Sequence, residues 1–406
     1  MQQELLKMRK QKGYTIAQTM QIKRKGNKRI VPSQTSNKKY EVILYLDKKV
    51  CTCPDYTERQ MTCKHIFAVQ MTITKEMDGW GNVKITQTKR ITYPQDWANY
   101  DKAQTQQKEL FMKLLFGLCN SMPEEPKQVH SGRPALNMKD MVFASALKIF
   151  TTFSLRRFNS DMKTAMDLGY IERMPHFALV SVYMNKPELT QILNDLITMS
   201  ALPLKSIESS FGVDASGFSP SKFSRWFSHK WGKETDRKIW YKLSVVNGNA
   251  THTITACEIT TAYVNDTMML PQLVSETSKK FNVQEIVADK GYLSDANLVH
   301  LDRLGITGYI PFKANSKRDA QKRSDIWKNA YNYFTYHQSA FMRHYNQRSN
   351  TETCFHMIKS KFGDSVRSKN EIACVNEILL KVLCHNICVL ISEMFELGIE
   401  PKFLGV

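Results

Sequence analysis

The sequence predicts an α/β chain of several domains, the largest built on a mixed five-stranded sheet with helices on both faces. Three observations carry this expectation. From about residue 205 onward, strand-like and helical runs follow in the order three strands, helix, strand, helix, strand, helix. Before them, residues 138–200 place apolar side chains at helical spacing. Nearer the N-terminus, Cys51, Cys53, Cys63 and His65 crowd into fifteen residues, the mark of a small metal-held module.

Composition bounds the rest. A chain of 406 residues, 42% apolar, has room for two or three domains with real cores. Lys and Arg number 57 against 38 Asp and Glu, a formal charge of +19 that suits a polyanionic partner. Nine cysteines, six of them scattered through apolar or helical stretches, exclude a disulfide framework and suggest a reducing compartment with one metal site. The polar, basic opening residues do not read as a signal peptide. The most apolar stretch, 378–395, is broken by Lys381, His385, Asn386 and Glu393 and reads as a buried helix, not a membrane span. A cytoplasmic protein with no membrane partner is expected.

In chain order, residues 1–39 read as a basic N-terminal arm, with Lys23-Arg24-Lys25 and Lys28-Arg29 closely set, either solvated or tracking DNA. Residues 40–75 form the metal module: a strand over 40–46, the cysteine cluster, then a short helix over 66–74. Residues 76–130 are a linker with a helical segment at 108–118, and the three prolines of 122–134 read as a hinge. Residues 131–204 are expected to form a helical DNA-binding domain, residues 205–397 the sheet domain, and 398–406 a tail. Within the sheet domain, 207–216 is a strand that ends in Asp214. Runs 238–246 and 251–260 form a hairpin across Asn247-Gly248-Asn249-Ala250. Asp266 is placed to cap a helix running to about Lys280. Residues 285–288 form a strand with Asp289 just past its end. Ser294 caps a helix that stops at Gly305, 307–312 is the fifth strand, and helices cover roughly 339–361 and 371–397.

The spacing C-x-C followed by C-x-H supplies three thiolates and an imidazole, the tetrahedral donor set that Zn²⁺ prefers. The pattern resembles the SWIM zinc finger, a small strand–strand–helix module. With four protein ligands, Cys51, Cys53, Cys63 and His65, the one zinc would be structural. The resemblance implies DNA or protein binding without saying which.

Asp214 and Asp289 each sit near a strand end, the edge at which open α/β sheets bind ligands. Two carboxylates side by side are electrostatically unfavourable without a cation, and Mg²⁺ takes hard oxygen ligands. Tyr345, Arg348, Glu352 and Lys359 lie at offsets of zero, three, seven and fourteen, one face of a helix. Such a face also fits a solvated, salt-bridged surface. The combined pattern resembles the DDE transposases of bacterial insertion sequences, whose third acid lies in Y-x2-R-x3-E-x6-K. That signature stands here, with its spacing intact, as Tyr345, Arg348, Glu352 and Lys359. Asp289-Lys290-Gly291-Tyr292 resembles the D-x-G-Y element around the second acid. The resemblance covers roughly residues 130–395 and implies a ribonuclease-H-like fold. It implies catalysis by Asp214, Asp289 and Glu352 around two Mg²⁺ or Mn²⁺ ions, double-stranded DNA partners (inverted-repeat ends and target), and a homodimer in the synaptic complex.

Lys359, Lys290 and Arg348 are candidate contacts to DNA phosphates, though Arg348 also fits a role orienting Glu352. Tyr345 either touches the DNA backbone or packs against the sheet. Gly132-Arg133-Pro134 resembles the core of an AT-hook, which makes Arg133 a minor-groove candidate beside the hinge reading. Arg156, Arg157 and Lys163 lie on helices suited to end recognition or to plain packing. Trp226, Trp231 and Trp240 flank a basic stretch and read as packing or as stacking platforms. His229 and His252 have no evident partner. The function expected is DNA cleavage and strand transfer. The alternatives are a nuclease of the same fold that does not transpose and a non-catalytic DNA-binding relative.

Overall fold

The computed structural model describes residues 2–25, 28–34, 36, 38–44, 49–59, 61–73, 76–77, 83–84, 96–123, 136–220, 240–319 and 323–403. The chain divides into two compact units, Met1–Thr105 and Gln106–Val406.

The first unit starts with helix α1 (Gln2–Thr19), followed by strands β1 (Lys23–Lys25), β2 (Lys28–Pro32), β3 (Lys39–Leu44) and β4 (Lys49–Cys51). They pair in that order as an antiparallel sheet. Helices α2 (Pro54–Arg59) and α3 (Lys64–Ile73) follow. Ile16, Ile22, Val31, Val42, Ile66 and Val69 share one core with Cys51, Cys53 and Cys63. The stretch expected as a basic arm, 1–39, therefore differs from that expectation: it folds as α1, β1 and β2 and completes the core of the cysteine module. The reason is apolar, since Ile16, Ile22 and Val31 are almost fully buried and so small a module has little else to cover it. Helices α1 and α3 meet at Gly13, where a Cβ would lie 2.6 Å from that of Phe67. Arg9 and Asp55 form an ion pair at 2.5 Å between α1 and α2. Two short strands, β5 (Glu76–Met77) and β6 (Val83–Lys84), pair with each other, and α4 (Trp97–Thr105) closes the unit.

The second unit opens with five helices: α5 (Gln107–Asn120), α6 (Met138–Thr151), α7 (Leu155–Asp167), α8 (Phe177–Met184) and α9 (Pro187–Ala201). The sheet follows as β7 (Ser210–Phe218), β8 (Tyr241–Gly248), β9 (Ile254–Thr261), β10 (Glu285–Ala288) and β11 (Thr307–Tyr309). The helices interleaved with and following it are α10 (Met269–Lys280), α11 (Asp295–Arg303), α12 (Asp325–Tyr336), α13 (Gln338–Tyr345), α14 (Ser349–Phe362) and α15 (Glu371–Leu397). The strand order is β11-β10-β7-β8-β9. β7, β8 and β9 run antiparallel, while β10 lies parallel to both β7 and β11. This is the mixed five-stranded sheet expected, and its order is that of a ribonuclease-H-like fold.

Alternation along β7 sends Phe211 and Val213 to one face, where they meet Leu270, Leu273 and Val274 of α10, Leu298 and Leu301 of α11 and Trp327 of α12. Gly212, Asp214 and Ser216 take the other face, toward α14. Val287 and Tyr309 also face that side, against Phe341 of α13. α15 is long and apolar enough to cross a membrane by length and composition. Yet its polar residues are built into the protein: Asn386 bonds the backbone of Ile197 and Ile254, and Lys381 donates to Gly363 O and Ser365 O at 3.1 and 2.7 Å. That is a core helix.

The helix expected over 339–361 is interrupted. α13 ends at Tyr345, a 3₁₀ turn covers Asn346–Arg348, and α14 starts at Ser349. Asp214 lies in the middle of β7 and not at its end. The expectation is correct only with respect to β10, which stops one residue short of it.

Candidate active site and metal cluster

Register brings the first two acids together. Ala288 of β10 pairs with Val213 of β7, so the next residue on each parallel strand is an aspartate, Asp289 and Asp214. Adjacent strands stand about 4.8 Å apart, and both side chains take the face that α14 covers. Asp289 leaves the strand directly and caps the turn Lys290–Tyr292, accepting the Lys290 N–H at 2.6 Å. Asp214 accepts the Ala215 N–H at 2.8 Å. Glu352, in the first turn of α14, joins them through Arg348. The Arg348 guanidinium donates to Asp214 at 3.0 Å and to Glu352 at 2.5 Å. Glu352 is more open than Asp214, with 60% of its side chain exposed against 22%.

Burial pushes the Asp214 carboxyl above its usual range, and the negative charges of Asp289 and Glu352 push it further; the Ala215 N–H and Arg348 oppose them. Burial opposes the charge of Arg348, but Asp214, Tyr345, Glu352 and Asp289 together raise its pKa. Asp214 is thus held charged against burial and two like charges, and the Arg348 guanidinium is hydrogen-bonded to both Asp214 and Glu352. All the donors are hard oxygens, so the residues fit a divalent ion such as Mg²⁺. Their oxygens are not gathered into one close cluster, because Arg348 stands between Asp214 and Glu352.

Lys359 donates to Ser216 at 2.6 Å and lies 5.3 Å from the centre of the Phe218 ring, beside Asp214 along β7. Its pKa is lowered by burial. Tyr345 is half-buried and packs against the Val287, Tyr309 and Phe341 cluster, and Arg348 is among the charges that act on its hydroxyl. Lys290 is exposed beside Asp289. Arg133 lies outside the described residues, as do Trp226, His229 and Trp231. Trp240 packs over Gly217, where a Cβ would lie 2.7 Å from its ring. Two expectations are corrected. Asn265, not Asp266, caps the helical start, accepting the Thr267 N–H at 3.1 Å, while Asp266 accepts from the buried Lys242 ammonium at 2.8 Å. His252 does have partners: its Nδ1 meets Asn350 O at 3.2 Å and its carbonyl meets His385 Nε2 at 2.9 Å.

Two further residues of the site, Gly212 and Thr351, were missed by sequence reasoning, and Tyr292 was named only as part of the D-x-G-Y resemblance, without a role. Tyr292 is buried under the site, its hydroxyl without a hydrogen-bond partner; burial raises its pKa, and Asp214, Asp266 and Asp289 raise it further. Gly212 and Thr351 touch so closely that a Cβ on Gly212 would lie 2.0 Å from Thr351 Oγ1. Thr351 precedes Glu352, so this contact seats the helix that carries the third acid. The local signal for the pair is thin: Gly212 stands two residues before Asp214, and Thr351 one before Glu352.

Residues 208–387 match the family model for the transposase DDE domain. The matched segment holds all five strands of the large sheet and all three acids, and the match supports a transposase-type function. No solved structure matches the chain.

Outside the matched segment, Cys51, Cys53, Cys63 and His65 are all buried and bring one ligand atom each within 4.8 Å of the others. Cys51 ends β4, Cys53 precedes α2, and Cys63 and His65 flank the start of α3. The Cys53 N–H points at Cys51 Sγ at 3.5 Å, as happens around metal-bound thiolates. Hydrogen bonds from Cys51 and Cys63 hold the Cys53 thiol well below its usual range, against burial. His65 Nε2 is buried without a hydrogen-bond partner. Three thiols and an imidazole packed this tightly in a small core fit a tetrahedral Zn²⁺ site with no open position.

Proposed function

We propose that the chain is a DNA transposase that binds inverted-repeat ends, hydrolyses DNA strands and transfers the 3′-hydroxyl ends into target DNA. The observation that carries this reading is the register of β7 and β10, which sets Asp214 beside Asp289 on the face where α14 presents Glu352. Two divalent ions held by these carboxylates would supply an activated water or 3′-hydroxyl and charge stabilisation at the leaving oxygen. Lys359, Lys290 and Arg348 hold DNA phosphates near the cut, and Arg348 also orients Glu352. Tyr345 braces Arg348 against the sheet and is within reach of the DNA backbone. Arg133 adds a minor-groove contact. Cys51, Cys53, Cys63 and His65 hold one structural Zn²⁺ in a SWIM-type module. The protein works in the cytoplasm, on DNA, and pairs two ends as a homodimer.

The test uses purified full-length protein, Mg²⁺ and duplexes bearing the element's ends, either intact or pre-cleaved with a free 3′-hydroxyl. Asp214→Ala, Asp289→Ala and Glu352→Ala should each abolish joining while leaving end binding. A variant that still joins ends removes that residue from the site. Hydrolysis without joining by the unmodified protein would reduce the reading to a nuclease.

A further inference from the structure

Residues 1–73 contain fifteen Lys and Arg against five Asp and Glu, so under a fifth of the chain carries +10 of the formal +19. The sheet of the first unit places part of this charge on one face. Val31, Val42 and Cys51 face the core and α3. By the register of β1, β2 and β3, the opposite face carries Lys23, Lys25, Lys28, Ile30, Pro32, Lys39, Glu41 and Ile43. Glu41 is the one acid in that set and is taken by Lys28 at 2.7 Å. Lys25 lies directly across from Lys28, so the single Glu41 carboxylate offsets one of two facing ammonium groups. Lys23, Lys25 and Lys39 are exposed, and among the described residues none has an ion-pair partner. A shallow concavity on this side is lined by Met20, Gln21, Lys23, Ile30, Pro32 and Lys39, an apolar floor with an ammonium on each side.

We propose that this sheet face, centred on Lys23, Lys25 and Lys39, docks on the phosphate backbone of double-stranded DNA. The choice of DNA over another polyanion rests on the transposase reading; the surface itself rests on register and charge. Lysines on a rigid sheet grip phosphates as point charges and add affinity without sequence preference. The sheet face would hold DNA independently of the carboxylate site.

The experiment measures binding of the full-length protein to a duplex of arbitrary sequence across a range of salt concentrations. The comparison is between the unmodified protein, the triple variant Lys23→Gln, Lys25→Gln, Lys39→Gln, and a charge-matched variant, Lys279→Gln, Lys280→Gln, Lys402→Gln. Circular dichroism and metal content confirm that both variants fold. Each phosphate that a missing ammonium leaves unneutralised should lower the slope of log K against log salt by about 0.9, so the sheet variant should lose roughly 2.7 and the matched variant far less. Equal reductions in the two variants, or an unchanged slope in the first, overturn the proposal. So does a sheet variant that no longer binds an acidic polypeptide yet binds the duplex normally, which would assign the face to a protein partner. The catalytic reading stands or falls on joining assays, not on this slope.

Discussion

Asp214 sits where burial and two neighbouring carboxylates disfavour its charge, with the Ala215 N–H and Arg348 as its relief. Because its folded pKa is raised, the metal-free fold loses stability as pH rises from the ordinary carboxylate range through that value. Asp214→Asn should therefore raise the metal-free melting midpoint at neutral pH while abolishing joining; a lower midpoint would show that the Arg348 bridge outweighs the repulsion. A second buried group gives a separate pH signature. His385 is fully buried, and burial lowers its pKa to about 4. The unfolded chain binds that proton below about 6.5, so the stabilisation is complete above about 6.5 and lost as pH falls toward 4. The full effect is roughly 3 kcal/mol, and His385→Gln should flatten the stability profile of the second unit in this window. At this scale the acids and the cysteines were legible in the sequence, because their spacings are local. Asp266 and His252 were not, since their partners Lys242, Asn350 and His385 are brought in only by folding.

The seat of α14 on β7 is the contact on which the third acid depends. Gly212→Ala would drive a methyl group into Thr351 Oγ1, and the helix must move to make room. A destabilisation of about 1–3 kcal/mol is expected, together with a loss of metal-dependent cleavage larger than the loss of folded protein. Comparing turnover per folded molecule with the melting midpoint checks it; equal losses would make Gly212 merely structural. The strands and helices of the second unit were legible because period-two and helical spacing are written into each segment. The interruption at Asn346–Arg348 was not, since the Y-x2-R-x3-E-x6-K spacing fits a continuous helix equally well. Nor was the mid-strand position of Asp214: β7 continues because β8 pairs along its whole length, and pairing partners are a long-range property. Helix α1 and strands β1 and β2 were obscured by their lysines, which outnumber the few buried residues, Ile16, Ile22 and Val31, that fold them.

Over the whole chain, the two units have separate cores, and among the described residues the cysteine cluster belongs to the first. Calorimetry should resolve two transitions. A chelator strong enough to strip Zn²⁺ should remove the one belonging to Met1–Thr105, leave the other, and leave part of the metal-dependent cleavage intact. A purified protein without stoichiometric zinc would end the zinc-finger reading. The sequence placed the start of the metal module at residue 40, after an arm whose helix and strands are in fact part of its fold. The guanidinium lodged between Asp214 and Glu352 has a thermodynamic meaning for how the parts cooperate. An ion and Arg348 compete for the same oxygens, so ion affinity is reduced by the fraction of molecules in which the arginine keeps its place. A phosphate that draws Arg348 outward lifts that penalty, and by linkage a bound ion strengthens the grip on the phosphate by the same factor. Titrating Mn²⁺ with and without a duplex should show tighter binding in its presence, and Arg348→Ala should erase the difference.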